Sequence, residues 1–377
     1  MLLNTFKLKH RPTDRALQSF LHVVHVDSLL FLLLLLLSIA GLFILYSASG
    51  QSVKAVIYQG TRLLFSFGML FIIAQIPPSS LQRLSPWLYF IGITALAIVL
   101  IIGHIGKGAQ RWLTLGIIRI QPAELMKLAI PLFLAWYYHR KALPITLQSA
   151  LTALPIILIP AFLTAKQPDL GTSILLVIAG ASVVFLAGLN MKTIYAGMSA
   201  LILCVPFAWY FLHDYQRNRI LTFINPERDP LGTGYHIIQS KIAIGSGGLF
   251  GKGFLNGTQS NLHFLPERST DFIFAVFGEE FGMIGGILLI TLYFLIILRG
   301  LYITLHAQDT FSRLLAGSIS FTFFVSFFIN MGMVIGILPV VGIPLPLISY
   351  GGSSMMTIMA SFGMLMSIQT HRKLVST

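Results

Sequence analysis

The carboxylates best suited to acid–base chemistry in this sequence lie where a polar loop runs into an apolar segment. Asp271 ends the stretch 265–271 (LPERSTD) and is followed directly by a long apolar run. A carboxylate at a membrane–water boundary can accept a proton from a substrate hydroxyl, as a general base does. The alternative is structural, because Asp is also a favoured N-cap of the helix that would follow. Glu279 and Glu280 lie about two to three turns further on, where ionisable groups are costly enough to indicate a partner or a purpose.

A glycine tract, residues 245–253 (GSGGLFGKG), could present backbone N–H groups to an anion, with Lys252 adding a positive charge. It does not match a nucleotide-binding P-loop. Ser246 stands where that motif has its first glycine, and Gly253 stands where it has Ser or Thr. The tract therefore predicts either a phosphate cradle or a flexible turn between short helices.

Two further polar groups open apolar segments after a Gln-Pro pair. Glu124 and Lys127 follow Pro122 at i, i+3 spacing, which allows them to neutralise each other as an ion pair. Asp169 follows a second Gln-Pro pair and is most simply a helix cap. The segment 338–353 holds three prolines and a Gly-Gly pair, which shape the backbone and supply no acid–base group.

The elements that must position these residues are transmembrane helices. Hydrophobic residues make up 56% of the 377 residues and charged residues only 10%, against about 25% charged in soluble domains. Apolar runs near the length that crosses a membrane recur along the chain: 29–46, 56–76, 86–103, 122–138, 143–165, 170–189, 193–212, 281–298, 314–338 and 347–368. We predict an all-α, polytopic bundle of about ten spans that forms a single domain over 1–377.

Basic residues in short flanks predict the orientation of the bundle. They cluster at both chain ends and at alternate connections, and an even number of spans places both termini on one side, so both termini are predicted to be cytoplasmic. Residues 14–25 have the apolar spacing of an amphipathic helix lying along the inner membrane surface. A cleaved signal peptide is the competing interpretation of the N-terminus, but its apolar run is too long for an ordinary signal core.

Positive charge on the outer face is unexpected in this topology. The longest loop, 213–270, joins spans 7 and 8 outside the membrane, and basic residues occur both there and in the outer segment 104–121. Long loops are exempt from the orientation rule, so the charge is either incidental or serves an anionic ligand. The net charge of +13 does not indicate nucleic acid, because no basic cluster interleaved with aromatics stands free of the membrane. The lone cysteine and scattered histidines provide no thiolate or zinc site.

Several of these stretches together resemble the SEDS (shape, elongation, division and sporulation) family of membrane glycosyltransferases. The matching stretches are 107–112 (KGAQRW), 121–124 (QPAE), 167–172 (QPDLGT), 235–243 (YHIIQSKIA), the glycine tract, 265–274 and 338–353. The sequence of 236–241 (HIIQSK) is more similar to the elongation members of the family than to its division members. Three positions depart from the family pattern, with Ser269 for a usual His, Ala123 for a usual Ser and Gly278 for a usual Ala.

The resemblance implies a peptidoglycan polymerase that joins lipid II to a nascent glycan strand outside the cytoplasmic membrane, with a class B penicillin-binding protein as its transpeptidase partner. We hypothesise that Asp271 is the general base. The residues expected to hold the departing pyrophosphate are Lys107, Arg111, Lys241 and Lys252. Those expected to shape the cavity are Glu124, Lys127 and Asp169. No cofactor is required, although a divalent cation could share the charge of the pyrophosphate, and the sequence contains no dedicated metal site.

Two other functions remain open on the sequence. A transporter that flips the lipid-linked precursor would place polar sites near the membrane midplane, whereas the motifs here lie toward the outer ends of the spans. A non-catalytic scaffold for the penicillin-binding protein would not need an acidic residue beside basic and glycine-rich loops, but it could retain them.

Overall fold

The computed structural model describes residues 25–106, 109–115, 118–211, 214–228, 232–262, 264–265 and 267–372, which are mainly helical. A mainly helical architecture is therefore confirmed, and the all-α prediction is wrong at one small sheet, described below. Two predictions fall outside the described residues. These are the amphipathic helix at 14–25, of which only the last residue is described, and the substrate contact by Lys107.

The α-helices of the described residues are, in chain order, α1 (Ser28–Ala48), α2 (Val53–Ala74), α3 (Pro78–Ile102), α4 (Pro122–Tyr138), α5 (Leu147–Lys166), α6 (Leu170–Leu186), α7 (Met191–Phe211), α8 (Asp214–Ile224), α9 (Thr233–Ser246), α10 (Thr258–Asn261), α11 (Ile273–Leu305), α12 (Thr310–Ile335) and α13 (Ser353–Thr370). Side chains cap several of their N-termini. Asp27 Oδ1 accepts from Leu30 N at 2.8 Å, and Asp309 Oδ2 accepts from Ser312 N at 3.0 Å. Each cap satisfies an amide that has no partner inside the helix, and so helps to fix where the helix begins.

Each apolar run predicted from the sequence overlaps one long helix. Within the described ranges, six helices are long and apolar enough to cross a membrane, namely α1, α2, α3, α5, α11 and α12. Their outward faces carry large apolar side chains such as Leu64, Phe65 and Ile101, which are 75%, 71% and 80% exposed. Such a surface suits a lipid environment, and the chain is a multi-pass membrane protein. The count of ten spans and the side of the termini stay predictions.

A small antiparallel sheet, which was not predicted, follows α3. It consists of β1 (His104–Gly106), β2 (Ala109–Leu115) and β3 (Ile118–Ile120), with β2 in the middle. The segment was interpreted only as an outer loop because its strands are short and interrupted by charged residues. Pairing with neighbours, rather than a long apolar pattern, makes it a sheet.

Small residues bring the central helices together. Helix α12 packs against α4, α6, α11 and α13. At the contact with α6, Ser182 Oγ lies 2.7 Å from Ser318 Oγ, which in turn donates to Ala179 O at 2.9 Å. Without water to drive association, close approach and interhelical hydrogen bonds of this kind hold membrane helices together.

Helix α11 is broken near its N-terminal end. Gly282 has φ 63° and ψ −162°, a conformation that interrupts the helix and that side chains other than hydrogen rarely allow. A methyl group built on Gly282 would also lie 2.3 Å from Gly251 N. The break separates the N-terminal part, 273–281, from the C-terminal part, 283–305. It removes the intrahelical hydrogen bonds that would connect them across the break.

Candidate active site

Asp271 lies in the turn before α11, and it is half-buried. Helix α11 begins at Ile273 with Phe272 as its N-cap residue, and the Phe272 side chain makes no capping hydrogen bond. The capping interpretation of Asp271 therefore loses support, since the carboxylate belongs to the residue before the cap. A methyl group built on Gly342 would lie 3.6 Å from Asp271 Oδ2, so the carboxylate faces the proline loop, residues 338–352.

A buried amide fixes the backbone of Asp271 to this loop. Asn330, five residues before the end of α12, is fully buried, and its Nδ2 donates to Asp271 O at 2.9 Å and to Ile343 O at 2.7 Å. The sequence analysis did not identify Asn330 as a site residue. The available signal was a lone amide inside an uncharged run, because such a group in a membrane helix needs hydrogen-bond partners.

The residues preceding Asp271 are held to the proline loop in the same way. Ser349 Oγ donates to Thr270 O at 2.5 Å, and Tyr350 N donates to Ser269 O at 2.9 Å. Gln59, buried in α2, donates through Nε2 to Ser349 O at 3.1 Å. The bonds from Asn330, Ser349 and Tyr350 to the turn all end on its backbone carbonyls. They therefore position the Asp271 carboxylate without bonding to its oxygens.

Arg268 ties the other side of the turn to α10. Its Nη1 donates to Ser260 O, and a methyl group built on Gly50 would lie 3.2 Å from its Nη2. Partial burial lowers the pKa of the Arg268 guanidinium from its ordinary value. An arginine remains charged at neutral pH after such a shift, so a positive charge stays three residues before Asp271.

The glycine tract repairs the break in α11. Four backbone hydrogen bonds join them: Lys252 N to Glu279 O (3.0 Å), Gly253 N to Glu280 O (3.0 Å), Met283 N to Gly248 O (2.9 Å) and Ile284 N to Leu249 O (3.1 Å). These are the helix groups that lost their partners at Gly282. The tract is therefore neither a flexible turn nor a cradle whose N–H groups all point at an anion, since two of its amides donate to the helix.

The two glutamates of α11 are held inside the protein. Lys252 Nζ lies 2.7 Å from Glu279 Oε1, which also accepts from Thr258 N at 2.8 Å, and the Glu279 side chain is fully buried. Glu280 accepts from Ser47 Oγ of α1. These contacts make both carboxylates structural groups. They also give Lys252 a partner other than a substrate, so its predicted contact with pyrophosphate stays a prediction.

The sheet places Arg111 against the start of α6. Arg111 Nη2 donates to Pro168 O at 2.6 Å, and its Nη1 lies 3.6 Å from Asp169 Oδ2. Asp169 Oδ2 also accepts from Gln121 Nε2 at 2.8 Å, while its Oδ1 accepts from Thr172 N at 3.2 Å. The capping interpretation of Asp169 is confirmed. The carboxylate additionally joins the sheet to α4 and α6.

The ion pair predicted between Glu124 and Lys127 is present, with Lys127 Nζ 2.6 Å from Glu124 Oε1. Both side chains are largely buried, with exposed fractions of 7% and 13%. They line a cavity of ≈ 50 Å³ with residues of α12, the proline loop and α13, including Thr322, Ile343, Pro344, Ser354 and Thr357. The proline loop therefore contacts both features. Gly342 faces the Asp271 carboxylate, and Ile343 and Pro344 line this cavity.

The basic residues predicted to hold the pyrophosphate contact different parts of the protein. Lys241 is exposed and lies along the C-terminus of α12, where a methyl group built on Gly336 would meet its Cε at 2.2 Å. Arg111 is bound to the start of α6, and Lys252 is bound to Glu279. In the part of the chain that the structure describes, no three His, Cys, Asp or Glu side chains are grouped so as to hold a metal ion.

Comparison with known proteins gives matches along nearly the whole chain. The family of FtsW, RodA and SpoVE cell cycle proteins matches residues 27–374. The peptidoglycan glycosyltransferase MrdB of Escherichia coli K12 is 50% identical over 360 residues, which cover 95% of this chain and 97% of MrdB. A probable peptidoglycan glycosyltransferase FtsW of Trichlorobacter lovleyi is 37% identical over 364 residues, covering 92% of this chain and 94% of the relative.

Solved structures are similar over the same extent. A chain from a peptidoglycan synthase complex, described for its coordination of polymerization and crosslinking, matches with a TM-score of 0.81 and 29% identity, covering 92% of this chain and 99% of that chain. The rod shape determining protein RodA of Thermus thermophilus matches with a TM-score of 0.69 and 28% identity, covering 92% of this chain and 98% of RodA.

Proposed function

Because this chain belongs to the FtsW, RodA and SpoVE family, we propose that it is a peptidoglycan glycosyltransferase of the elongation branch. It polymerises lipid II into glycan strands outside the cytoplasmic membrane during cell elongation and the maintenance of rod shape. The identity of half the aligned residues with MrdB supports the enzyme class and the branch together.

The observation that carries the mechanism is the fixed, half-buried carboxylate of Asp271. Its backbone is held by Asn330, and the preceding carbonyls are held by Ser349 and Tyr350, so the acid is positioned before substrate binds. In the proposed reaction Asp271 takes the proton of the acceptor sugar's C4 hydroxyl. The oxygen attacks C1 of the donor as the bond from C1 to the pyrophosphate oxygen breaks. The linkage inverts from α to β-1,4, and the lipid pyrophosphate leaves with the bonding electrons.

The leaving pyrophosphate needs positive charge, which usually gives the largest stabilisation in such transfers. Lys107, Arg111 and Lys241 are the proposed contacts, and a divalent cation could share their task. Lys252 contributes as well, but its pairing with Glu279 favours a role in shaping the loop. Glu124 and Lys127 line the cavity beyond the proline loop, and Asp169 holds the sheet that carries Arg111.

The proposed orientation has ten spans, both termini in the cytoplasm and the loop 213–270 outside. The clustering of basic residues at both chain ends and at alternate connections supports it. A cysteine placed at 249, on the glycine tract, should react with a membrane-impermeant reagent outside spheroplasts, whereas one replacing Arg140 should react only after lysis. The opposite sidedness would overturn both the orientation and the external reaction.

A class B penicillin-binding protein is the proposed partner, since a glycan strand is useful to the cell only when it is cross-linked. The similarity to a chain of a peptidoglycan synthase complex supports this assignment. Co-purification with the transpeptidase, tested with the Asp271→Ala chain as well as the unaltered one, separates partner binding from catalysis.

The decisive experiment supplies lipid II to the purified chain with no other glycosyltransferase present and measures glycan strands by gel electrophoresis. Polymer is expected from the unaltered chain. Movement of lipid II across a vesicle membrane without polymer would instead indicate a transporter. Neither activity, with the transpeptidase still bound, would indicate a scaffold.

A further inference from the structure

A second polar cavity lies at the ends of α3 and α4 that are far from the sheet, roughly 25 Å along α4 from Glu124. Its volume is ≈ 240 Å³, about that of eight water molecules. The first turns of α3 and the last turn of α4 supply its lining: Ser79, Gln82, Arg83, Trp136, His139 and Arg140. We call this cavity the basic pocket.

The charge of the basic pocket is not neutralised by the protein. No acidic side chain lines it, and within the described ranges neither Arg83 nor Arg140 makes a side-chain hydrogen bond or ion pair. By contrast the neighbouring Lys141 is engaged, with Nζ 2.7 Å from the Tyr137 hydroxyl. The helix dipoles add no net charge to the pocket. The N-terminus of α3 carries about half a positive charge and the C-terminus of α4 about half a negative charge, so the two contributions cancel. Two guanidiniums therefore remain, and their planar donors suit phosphate oxygens.

An aromatic path leads from the basic pocket up the membrane-facing side of the bundle. The Trp136 ring lies 5.3 Å from the Phe133 ring, and Phe133 lies 6.1 Å from Phe90. Phe90 is 58% exposed, and it stands seven residues, or about 10 Å of helix, beyond Arg83. A free phosphate ion would occupy the pocket without lying along Phe133 and Phe90, whereas a phospholipid would use the pocket and these rings together.

We propose that the basic pocket binds the phosphodiester head group of an anionic phospholipid, with an acyl chain lying along Trp136, Phe133 and Phe90. Basic pockets between membrane helices bind such head groups through charge and through the apolar surface beside it. The lipid belongs to the leaflet at this end of the bundle, the inner leaflet in the ten-span topology. The site is separate from Asp271 and does not depend on the proposed polymerase activity.

The test titrates the full chain, in a neutral detergent, with dioctanoyl phosphatidylglycerol and with dioctanoyl phosphatidylcholine, and counts bound lipid by native mass spectrometry. The unaltered chain is expected to prefer phosphatidylglycerol. Because each basic side chain near a lipid surface contributes about a fivefold factor in affinity, Arg83→Gln and Arg140→Gln should each weaken phosphatidylglycerol binding about fivefold or more.

The matched control is Arg313→Gln. Arg313 is exposed in the first turn of α12 and lies outside the basic pocket, so its loss removes the same charge without touching the site. It should leave the preference unchanged. Equal affinities in all three variants, or no preference for phosphatidylglycerol in the unaltered chain, would overturn the proposal. Competition by inorganic phosphate at the concentration of the lipid would assign the pocket to a soluble anion and overturn the lipid assignment.

A second measurement does not require the arginine variants to fold. In a chain whose other three tryptophans are replaced by phenylalanine, the fluorescence of Trp136 reports on the pocket directly. Phosphatidylglycerol brominated on its acyl chains should quench it more strongly than brominated phosphatidylcholine at the same concentration. Equal quenching by the two lipids would mean that the path contacts bulk lipid without regard to head group, against the proposal.

Discussion

Replacing Asp271 by Asn separates a catalytic carboxylate from a structural one. Asn keeps the size and the hydrogen-bonding atoms of the side chain but cannot take up a proton as a carboxylate does. The bonds from Asn330, Ser349 and Tyr350 to this turn all end on backbone carbonyls, so the substitution leaves every one of them in place.

The size of each effect follows from this geometry. The helix cap lies at Phe272, so the loss of unfolding free energy should stay below about 1 kcal/mol, the usual value for removal of a true cap. If Asp271 is the general base, the rate of glycan synthesis should fall by about 10²- to 10⁴-fold. The two outcomes differ by orders of magnitude in rate at nearly constant stability.

The assay is lipid II polymerisation by purified Asp271→Asn, with a thermal unfolding curve from the same sample. Asp309→Asn is the matched control, because Asp309 caps α12 through its side chain and lies outside the candidate site. That control should keep its rate. Near-normal glycan synthesis by Asp271→Asn would refute the assignment of the base, and an equal loss in both variants would point to a defect in folding.

Three further predictions concern the supports of the site. Gly251→Ala puts a methyl group 2.1 Å from Glu280 O at a residue with φ +80°, so it should lower stability by about 1–3 kcal/mol or more. Gly245→Ala, which meets nothing within 4 Å, should leave the unfolding temperature unchanged or slightly higher. Lys252→Met leaves the buried Glu279 charge without its ion-pair partner and should lower the free energy of unfolding by about 3–5 kcal/mol. Adding Glu279→Gln to this variant should restore part of the loss, as measured by thermal unfolding. Asn330→Leu leaves two carbonyl oxygens without their donor, which should lower the free energy of unfolding by about 1–3 kcal/mol. It should also lower the polymerisation rate at saturating lipid II. An unchanged rate would show that the turn is held without Asn330.

The long helices could be predicted from sequence because a membrane offers an apolar segment few alternatives. An uncharged run such as 29–46 must satisfy its backbone groups internally, and a helix does so in every membrane context. The ion pair of Glu124 and Lys127 and the cap at Asp169 were equally accessible, since both depend on residues three positions apart. Local spacing was sufficient in each case.

The break in α11 could not be predicted, because it depends on residues far away in the sequence. Gly282 sits in an apolar run like several other glycines, and only contact with the glycine tract distinguishes it. The role of Asn330 could not be predicted for the same reason, since its two acceptors come from distant segments. The alternative interpretation of Asp271 as a cap places the helix boundary one residue before the observed N-cap, Phe272, which is the usual uncertainty of a helix boundary.

The repair of α11 by the glycine tract divides the long loop 213–270 into two parts with different freedom to change. Residues 248–253 exchange four backbone hydrogen bonds with a membrane helix, so deleting them would leave polar groups of that helix without partners beside lipid. Among the residues that the structure describes, those of α8, before the tract, make no such exchange with α11. Insertions, purification tags or grafted epitopes should therefore be tolerated around α8 and be incompatible with folding within the tract. The tract is in this sense a missing turn of α11, supplied from elsewhere in the chain.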